Sequence, residues 1–218
     1  MNKQQIIHKT KVHLKTEFGN EGTGHDWWHI ERVFNNATAI AKKEKGADLF
    51  IVQLGALLHD VADFKFHGGD DTIGGKVAAQ WLKKIGADEL TIQSVVHIVD
   101  NVSFKGLGVR SNMESLEGKI VQDADRLDAI GALGIARAFA YGGYKERPIY
   151  DPGKKTKTHN SFSSYKKGSD SSIHHFYEKL LYVKDLMNTK TGRAMALQRH
   201  TFLERYLKEF YAEWEGAK

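Results

Sequence analysis

Leu54-Gly55-Ala56-Leu57-Leu58-His59-Asp60-Val61-Ala62-Asp63 is the stretch that decides the fold. Five small or apolar residues run directly into a histidine and an aspartate, and a second acid follows three residues later. A helix this apolar belongs in a core. A charge buried there is costly unless it is paired or bound to a metal. The sequence therefore sets an imidazole and up to two carboxylates where a strong compensating partner is needed.

Outward from this stretch the pattern predicts an all-α protein. Proline occurs twice, at Pro148 and Pro152, and long β-branched alternating runs are scarce, whereas Ala, Leu, Lys and Glu abound. Asp48 is a good cap for the central helix, and Asp26 for a helix running to about residue 45, where Gly46 stops it. A first helix is expected over residues 3 to 17. Others are expected from a cap at Asp71 or Thr72 to Ile85, and from about 89 to 99 after the break at Gly86-Ala87-Asp88. Residues 62 to 71 and 101 to 115 read as loops. A single apolar helix is expected from 116 to about 139, with Gly131 and Gly134 marking close packing. Residues 141–171 read as an irregular loop or flap, followed by helices at about 172 to 187 and 191 to 214. The expected organisation is one domain over 1–218, closed by its C-terminal helices within 172–218.

Composition narrows the function. A length of 218 residues, 41% hydrophobic and 27% charged, suits one globular core. No apolar run reaches 18 residues and the N-terminus lacks a signal-peptide pattern, so no membrane partner and a cytoplasmic location are expected. The absence of cysteine excludes disulfide and thiolate chemistry. The net charge of +5 is scattered among acids, apart from a local group at Lys154, Lys155 and Lys157. A phosphate-bearing small molecule explains that balance as well as a polymer does, and so does solubility alone. No nucleic-acid polymer is expected as a partner; a homodimer stays open.

Of the 11 histidines, His8, His13 and His200 sit in polar helix patterns and read as surface or packing residues. His25, His29, His59, His67, His97, His174 and His175 are the candidates for chemistry. His59 and Asp60 point about 100° apart on a helix, yet both can reach one ion where neighbouring helices converge. Gly24-His25-Asp26-Trp27-Trp28-His29-Ile30-Glu31-Arg32-Val33 offers His29 on another helix. Lys119-Ile120-Val121-Gln122-Asp123-Ala124-Asp125-Arg126-Leu127-Asp128 offers acids within an apolar helix, one of which would complete a two-histidine, two-carboxylate set.

The order His…His-Asp…Asp resembles the HD-domain metal-dependent phosphohydrolases. The resemblance is closest to the small bacterial members that hydrolyse nucleoside triphosphates. It covers nearly the whole chain and is carried by residues 25–33, Leu57-Leu58-His59-Asp60, residues 122–131 and His175-Phe176-Tyr177-Glu178-Lys179-Leu180. It implies an all-helical enzyme whose metal ligands are His29, His59, Asp60 and Asp125. The family motif places the acid directly before a basic residue, which selects Asp125 before Arg126 and leaves Asp123 as a capping or supporting acid. One divalent ion is implied. This donor set suits Mn²⁺, Fe²⁺, Co²⁺, Ni²⁺ or Zn²⁺, with Mn²⁺ first, whereas Mg²⁺ prefers an oxygen shell.

Hydrolysis also needs a proton acceptor and cations around the phosphate. Asp63, three residues past Asp60, is the base candidate, since related HD enzymes carry a Glu or His there. Its alternative is a local salt bridge at the helix end. Arg32 could neutralise the ligating carboxylates or hold helices together, and His97 could line the pocket or sit in the core. Lys65, His67, Lys105 and Arg126 are phosphate candidates, while Arg110 reads as solvated. His175 and Lys179, four apart, could bind phosphate or pack. Tyr141, Phe162 or Tyr165 could stack on a base or sugar, or pin the loop. The expected reaction is (d)NTP plus water to (d)NMP plus pyrophosphate. The alternatives are a nucleoside 5′-monophosphate phosphatase, another HD nucleotide phosphodiesterase or alarmone hydrolase, and a non-enzymatic, metal-stabilised module binding a nucleotide or partner.

Overall fold

Short polar side chains start the helices. Asn2 caps α1 (Lys3–Phe18) in a reciprocal box with Gln5. Asp26 caps α2 (Trp27–Ala41), and Asp48 caps α3 (Leu49–Leu58) by accepting from the N–H groups of Phe50 at 2.8 Å and Ile51 at 3.4 Å. α4 (Ile73–Lys84) is followed by α5 (Glu89–Asn101), which Asp88 caps. Then come α6 (Leu116–Asp128), α7 (Gly131–Tyr144) and α8 (Ser172–Glu178). A 3₁₀ stretch (Leu180–Leu186) leads to α9 (Lys190–Trp214), capped by Thr189. The structure is a computed structural model and describes residues 1–19, 26–61, 73–103, 111–154 and 170–218. Among these the fold is all-α, and no helix is long and apolar enough to cross a membrane.

The chain divides into two compact units, Met1–Lys105 with Arg110–Asp125, and Gly106–Val109 with Arg126–Lys218. In the first, α3 is the core helix. Val52, Leu54, Ala56, Leu57 and Leu58 are all 0% exposed, and α1, α2 and α5 pack around them. Gly55 is the point of closest approach. A Cβ there would stand 3.0 Å from Ile98 Cδ1 on α5 and 3.3 Å from Val121 Cγ2 on α6. The same unit joins α1 to α4 through His13 stacked on Trp81 at 3.8 Å, with the indole N–H donating to Thr10 Oγ1 at 3.0 Å.

In the second unit α7 packs against α8 and α9. Aromatic contacts run from its core to its surface: Phe176, fully buried, stacks on Tyr206, and the half-buried Tyr150 meets His174, Phe210, Tyr211 and the exposed Trp214 edge-on or tilted. Burial, then hydrogen bonding with Tyr177, pushes the Tyr211 hydroxyl well above its ordinary pKa.

Several boundaries differ from the sequence expectation. The expected helix from 116 to about 139 breaks after Asp128, because Ile130 is extended and Gly131 takes φ +76°. α2 ends at Ala41, and the chain turns through Gly46 at φ +90°. α7 continues through Gly142 and Gly143, expected to lie in a loop, and a Cβ at Gly142 would collide with Ser172 Oγ, so glycine there serves close packing. The helix expected over 172 to 187 leaves α geometry at Lys179 (φ −141°, ψ −56°) and continues as 3₁₀. The expected loop at 62 to 71 and the central part of the 141–171 segment lie outside the described residues.

Gly55 yields a stability prediction. Gly55→Val should lower the free energy of unfolding by about 1–3 kcal/mol through overpacking against Ile98 and Val121. Urea denaturation checks this; an unchanged midpoint would show that α5 and α6 are not held this close to α3.

Candidate metal centre

Helix ends deliver the site. Asp26 Oδ1 accepts from the His29 N–H at 2.8 Å, which holds His29 in the first turn of α2 while Ile30, Val33 and Ala37 are buried. His59 follows α3 directly with backbone angles still helical, and Asp60 comes next. Asp125 lies in the last turn of α6. All four belong to the first unit.

Their polar atoms converge. His29 Nε2 is 3.2 Å from His59 Nε2, 3.3 Å from Asp60 Oδ2 and 3.6 Å from Asp125 Oδ1. His59 Nε2 is 3.5 Å from Asp60 Oδ2 and 3.9 Å from Asp125 Oδ1. His59 Nδ1 lies 2.8 Å from the Ala56 carbonyl. A carbonyl only accepts, so Nδ1 carries the proton and donates, and the lone pair is left on Nε2. That lone pair faces a second imidazole and two carboxylates.

This is a donor set that requires positive charge. Donors about 2.1 Å from one ion, at angles of about 90° to 109°, stand about 3.0–3.4 Å apart. The His29, His59 and Asp60 separations of 3.2, 3.3 and 3.5 Å lie near that range, and Asp125 stands slightly further out. The cluster is therefore suitable for a divalent metal ion. Among the described residues, His29, His59 and Asp125 form the one group of three or more His, Cys, Asp or Glu with ligand atoms within 4.8 Å of one another. The imidazoles are sealed, each side chain 1% exposed, while Asp60 and Asp125 are 15% and 33% exposed. The carboxylate side is the open side.

The acids on α6 take separate places. Asp125 joins the cluster, Asp123 is fully buried, and Asp128 pairs with Arg137 at 2.8 Å. Arg32 is half-buried on α2. His97 is exposed on α5, with its Nδ1 3.4 Å from Asn101 Nδ2, and stands outside the cluster. In the second unit, Arg126 donates to the Leu186 carbonyl, and the half-buried His175 accepts at its backbone carbonyl from the Lys179 N–H at 3.0 Å. Tyr141 is exposed beside Tyr144. Asp63, Lys65, His67, Lys105, Arg110, Phe162 and Tyr165 lie outside the described residues. Sequence reasoning missed the Ala56 carbonyl, which fixes the His59 tautomer, and the pairing of Asp128 with Arg137. The first follows from i,i+3 geometry at a helix end; the second has no local signal.

Comparison with known proteins matches this arrangement. The HD domain family model fits residues 27–130, the span from His29 through Asp125. The chain is 40% identical over 201 residues to the uncharacterized protein YpgQ of Bacillus subtilis, covering 90% of this chain and 88% of the relative. It superposes on the crystal structure of an HD-superfamily hydrolase from Bacillus thuringiensis with a TM-score of 0.77 and 41% identity, over 98% of this chain and 99% of the other. The crystal structure of Bacillus subtilis YpgQ in complex with ADP matches with a TM-score of 0.75 and 36% identity, over 98% of this chain and 97% of the other. The buried imidazole pair, the carboxylates beside it and these matches agree, and the chain belongs to the HD-domain superfamily.

Proposed function

We propose that the protein is a divalent-metal-dependent nucleotide hydrolase that converts a (d)NTP and water to the (d)NMP and pyrophosphate. The observation that carries this reading is the convergence of His29, His59 and Asp125, with Asp60 against both imidazoles, sealed on the imidazole side and open on the carboxylate side. The HD membership supports hydrolysis. That a relative 36% identical to this chain has been crystallised with ADP supports a nucleotide as the substrate class.

In this reading the four residues hold one Mn²⁺. Bound there, the ion supplies Lewis-acid chemistry, making water more acidic and polarising a phosphoryl oxygen. The protein's own groups do the rest. His59, its Nδ1 proton committed to the Ala56 carbonyl, keeps Nε2 as a donor atom. Asp63 takes the proton of the attacking water. The water oxygen bonds to the α-phosphorus, the bond to the bridging oxygen breaks, and pyrophosphate leaves with the electron pair. Lys65, His67 and Lys105 neutralise the phosphates. Arg32, His97, Arg126, His175 and Lys179 are further candidates for orienting the substrate.

Two predictions test this. Mn²⁺ at a hundredfold excess over its dissociation constant should stabilise the protein by about 2.7 kcal/mol, read as a rise in melting temperature that EDTA reverses. His59→Ala should lose that rise, and a wild type without any metal-dependent shift would remove the metal-site reading. With (d)NTPs and Mn²⁺, chromatography should show pyrophosphate and monophosphate, and Asp60→Ala should abolish both. Asp63→Asn should lower kcat by about 10²–10⁴-fold while retaining the melting shift. Nucleoside plus orthophosphate released from a monophosphate would replace the proposed reaction, and an unchanged kcat would return Asp63 to a local brace.

A further inference from the structure

The 3₁₀ stretch Leu180–Leu186 has three residues per turn, so side chains three apart stand one above the other. Leu180 and Val183 form one face and are buried in the second unit. The other two faces, Leu181 with Lys184 and Tyr182 with Asp185, line a cavity of about 560 Å³. Tyr177 of α8 closes one wall, and His200 and Glu204, four apart on α9, form another. Every lining residue belongs to the second unit, and the volume falls within the roughly 300–1,000 Å³ of small-molecule pockets.

Two of its walls are held in place. His200 is 6% exposed, and its Nε2 lies 3.2 Å from Glu204 Oε1. A carboxylate accepts, so Nε2 carries a proton and donates it. The bond ties down a glutamate whose side chain is otherwise 60% exposed. His200 Nδ1 is buried without a hydrogen-bond partner among the described residues, which is rare for a polar atom in a folded core. An imidazole left half-satisfied fills a core poorly; what it secures is the place of the Glu204 carboxylate. On the opposite wall, the Tyr177 hydroxyl is hydrogen-bonded with that of Tyr211, which fixes the ring.

The charges in the cavity are of both signs. Among the described residues no ion pair or hydrogen bond engages the side chain of Lys184 or of Asp185. One ammonium therefore stands beside two carboxylates, Asp185 and Glu204, with two phenol rings and Leu181 between. A polyphosphate would meet more negative than positive charge here, and a simple cation would face Lys184. A molecule carrying both an ammonium and a carboxylate satisfies all three groups. Tyrosine faces attract an ammonium, and the rings with Leu181 receive an apolar chain.

We infer that this cavity binds a small zwitterion, an α-amino acid with an apolar or aromatic side chain, its carboxylate on Lys184 and its ammonium between Asp185 and Glu204. The site shares no residue with the metal cluster and does not rest on the metal-site reading.

The test is isothermal titration calorimetry of the full chain with L-phenylalanine and L-leucine, beside phenethylamine, which lacks the carboxylate, and 3-phenylpropanoate, which lacks the ammonium. L-phenylalanine or L-leucine should bind, and each one-charge analogue should bind about tenfold more weakly or worse, since each forfeits a charge-assisted contact. Lys184→Met should reduce L-phenylalanine to the affinity of phenethylamine. Asp185→Asn with Glu204→Gln should reduce it to that of 3-phenylpropanoate. Circular dichroism checks that these variants fold, and Lys184 and Asp185 lie outside the buried face of their element. Asp125→Ala should bind L-phenylalanine as the wild type does. No binding of either amino acid, equal binding of an analogue, or loss of binding in Asp125→Ala overturns the inference, and none of these outcomes bears on whether the metal cluster hydrolyses a nucleotide.

Discussion

The hydrogen bond from His59 Nδ1 to the Ala56 carbonyl, 2.8 Å long, is the constraint on which the site depends. Its acceptor lies in the last turn of α3, which ends at Leu58, where helix carbonyls run short of intrahelical N–H partners. Neither glycine nor proline stops the helix here. The imidazole takes up a carbonyl that the helix end leaves open, and in doing so fixes its own tautomer. With Nδ1 protonated, His59 can present only a lone pair to the neighbouring His29 Nε2, 3.2 Å away. That lone pair, the second imidazole and the carboxylates beside them make a site suited to a cation. The suitability of the site for a metal thus follows in part from where an apolar helix stops.

How near the ligands stand is set by packing. α3 is buried throughout its second half, Leu54 to Leu58, and its one glycine is where Ile98 of α5 and Val121 of α6 approach it. Val121 lies one helical turn before Asp125, so the spacing that Gly55 permits also governs how far α6 holds its carboxylate from His59. A side chain at position 55 would press α6 outward, and the 3.9 Å separation is already the longest among His29, His59 and Asp125. Core and site are in this sense one structure.

The sequence made legible whatever was local. Asp26 and Asp48 announce helix starts because a cap needs only its own neighbours, and both cap as expected; Asp88, read as part of a break, caps α5 in the same way. The His59-Asp60 pair stood out because charge in an apolar run needs a reason. Periodicity did not reveal the breaks at Gly131 and Lys179 or the continuation of α7 through Gly142-Gly143, and the close neighbours that favour glycine there, Arg199 at Gly131 and Ser172 at Gly142, are distant in sequence. Periodicity could not choose among the acids of α6, since Asp123 and Asp125 lie in the same apolar run; the structure buries one and turns the other into the cluster. The outward place of His97 was readable in principle. Ile92, Val95, Ile98 and Val99 form the buried stripe of α5, and residue 97 falls outside it.

The helix ends add a last electrostatic layer. Two of the contributing helices, α3 and α6, bring their C-terminal turns to the cluster, and one, α2, brings its N-terminal turn. C-terminal turns carry partial negative charge and favour a cation; an N-terminal turn favours an anion. Each effect is worth about 0.3–1 kcal/mol, well below the cost of leaving a buried acceptor unsatisfied, so the side chains dominate the preference for a cation and the helix ends only deepen it. The opposing end at α2 is already answered by Asp26, whose carboxylate accepts from the His29 N–H. The α2 terminus therefore sets the direction of His29 more than it repels an ion, and the field at the cluster is left to the two C-terminal turns and the two carboxylates.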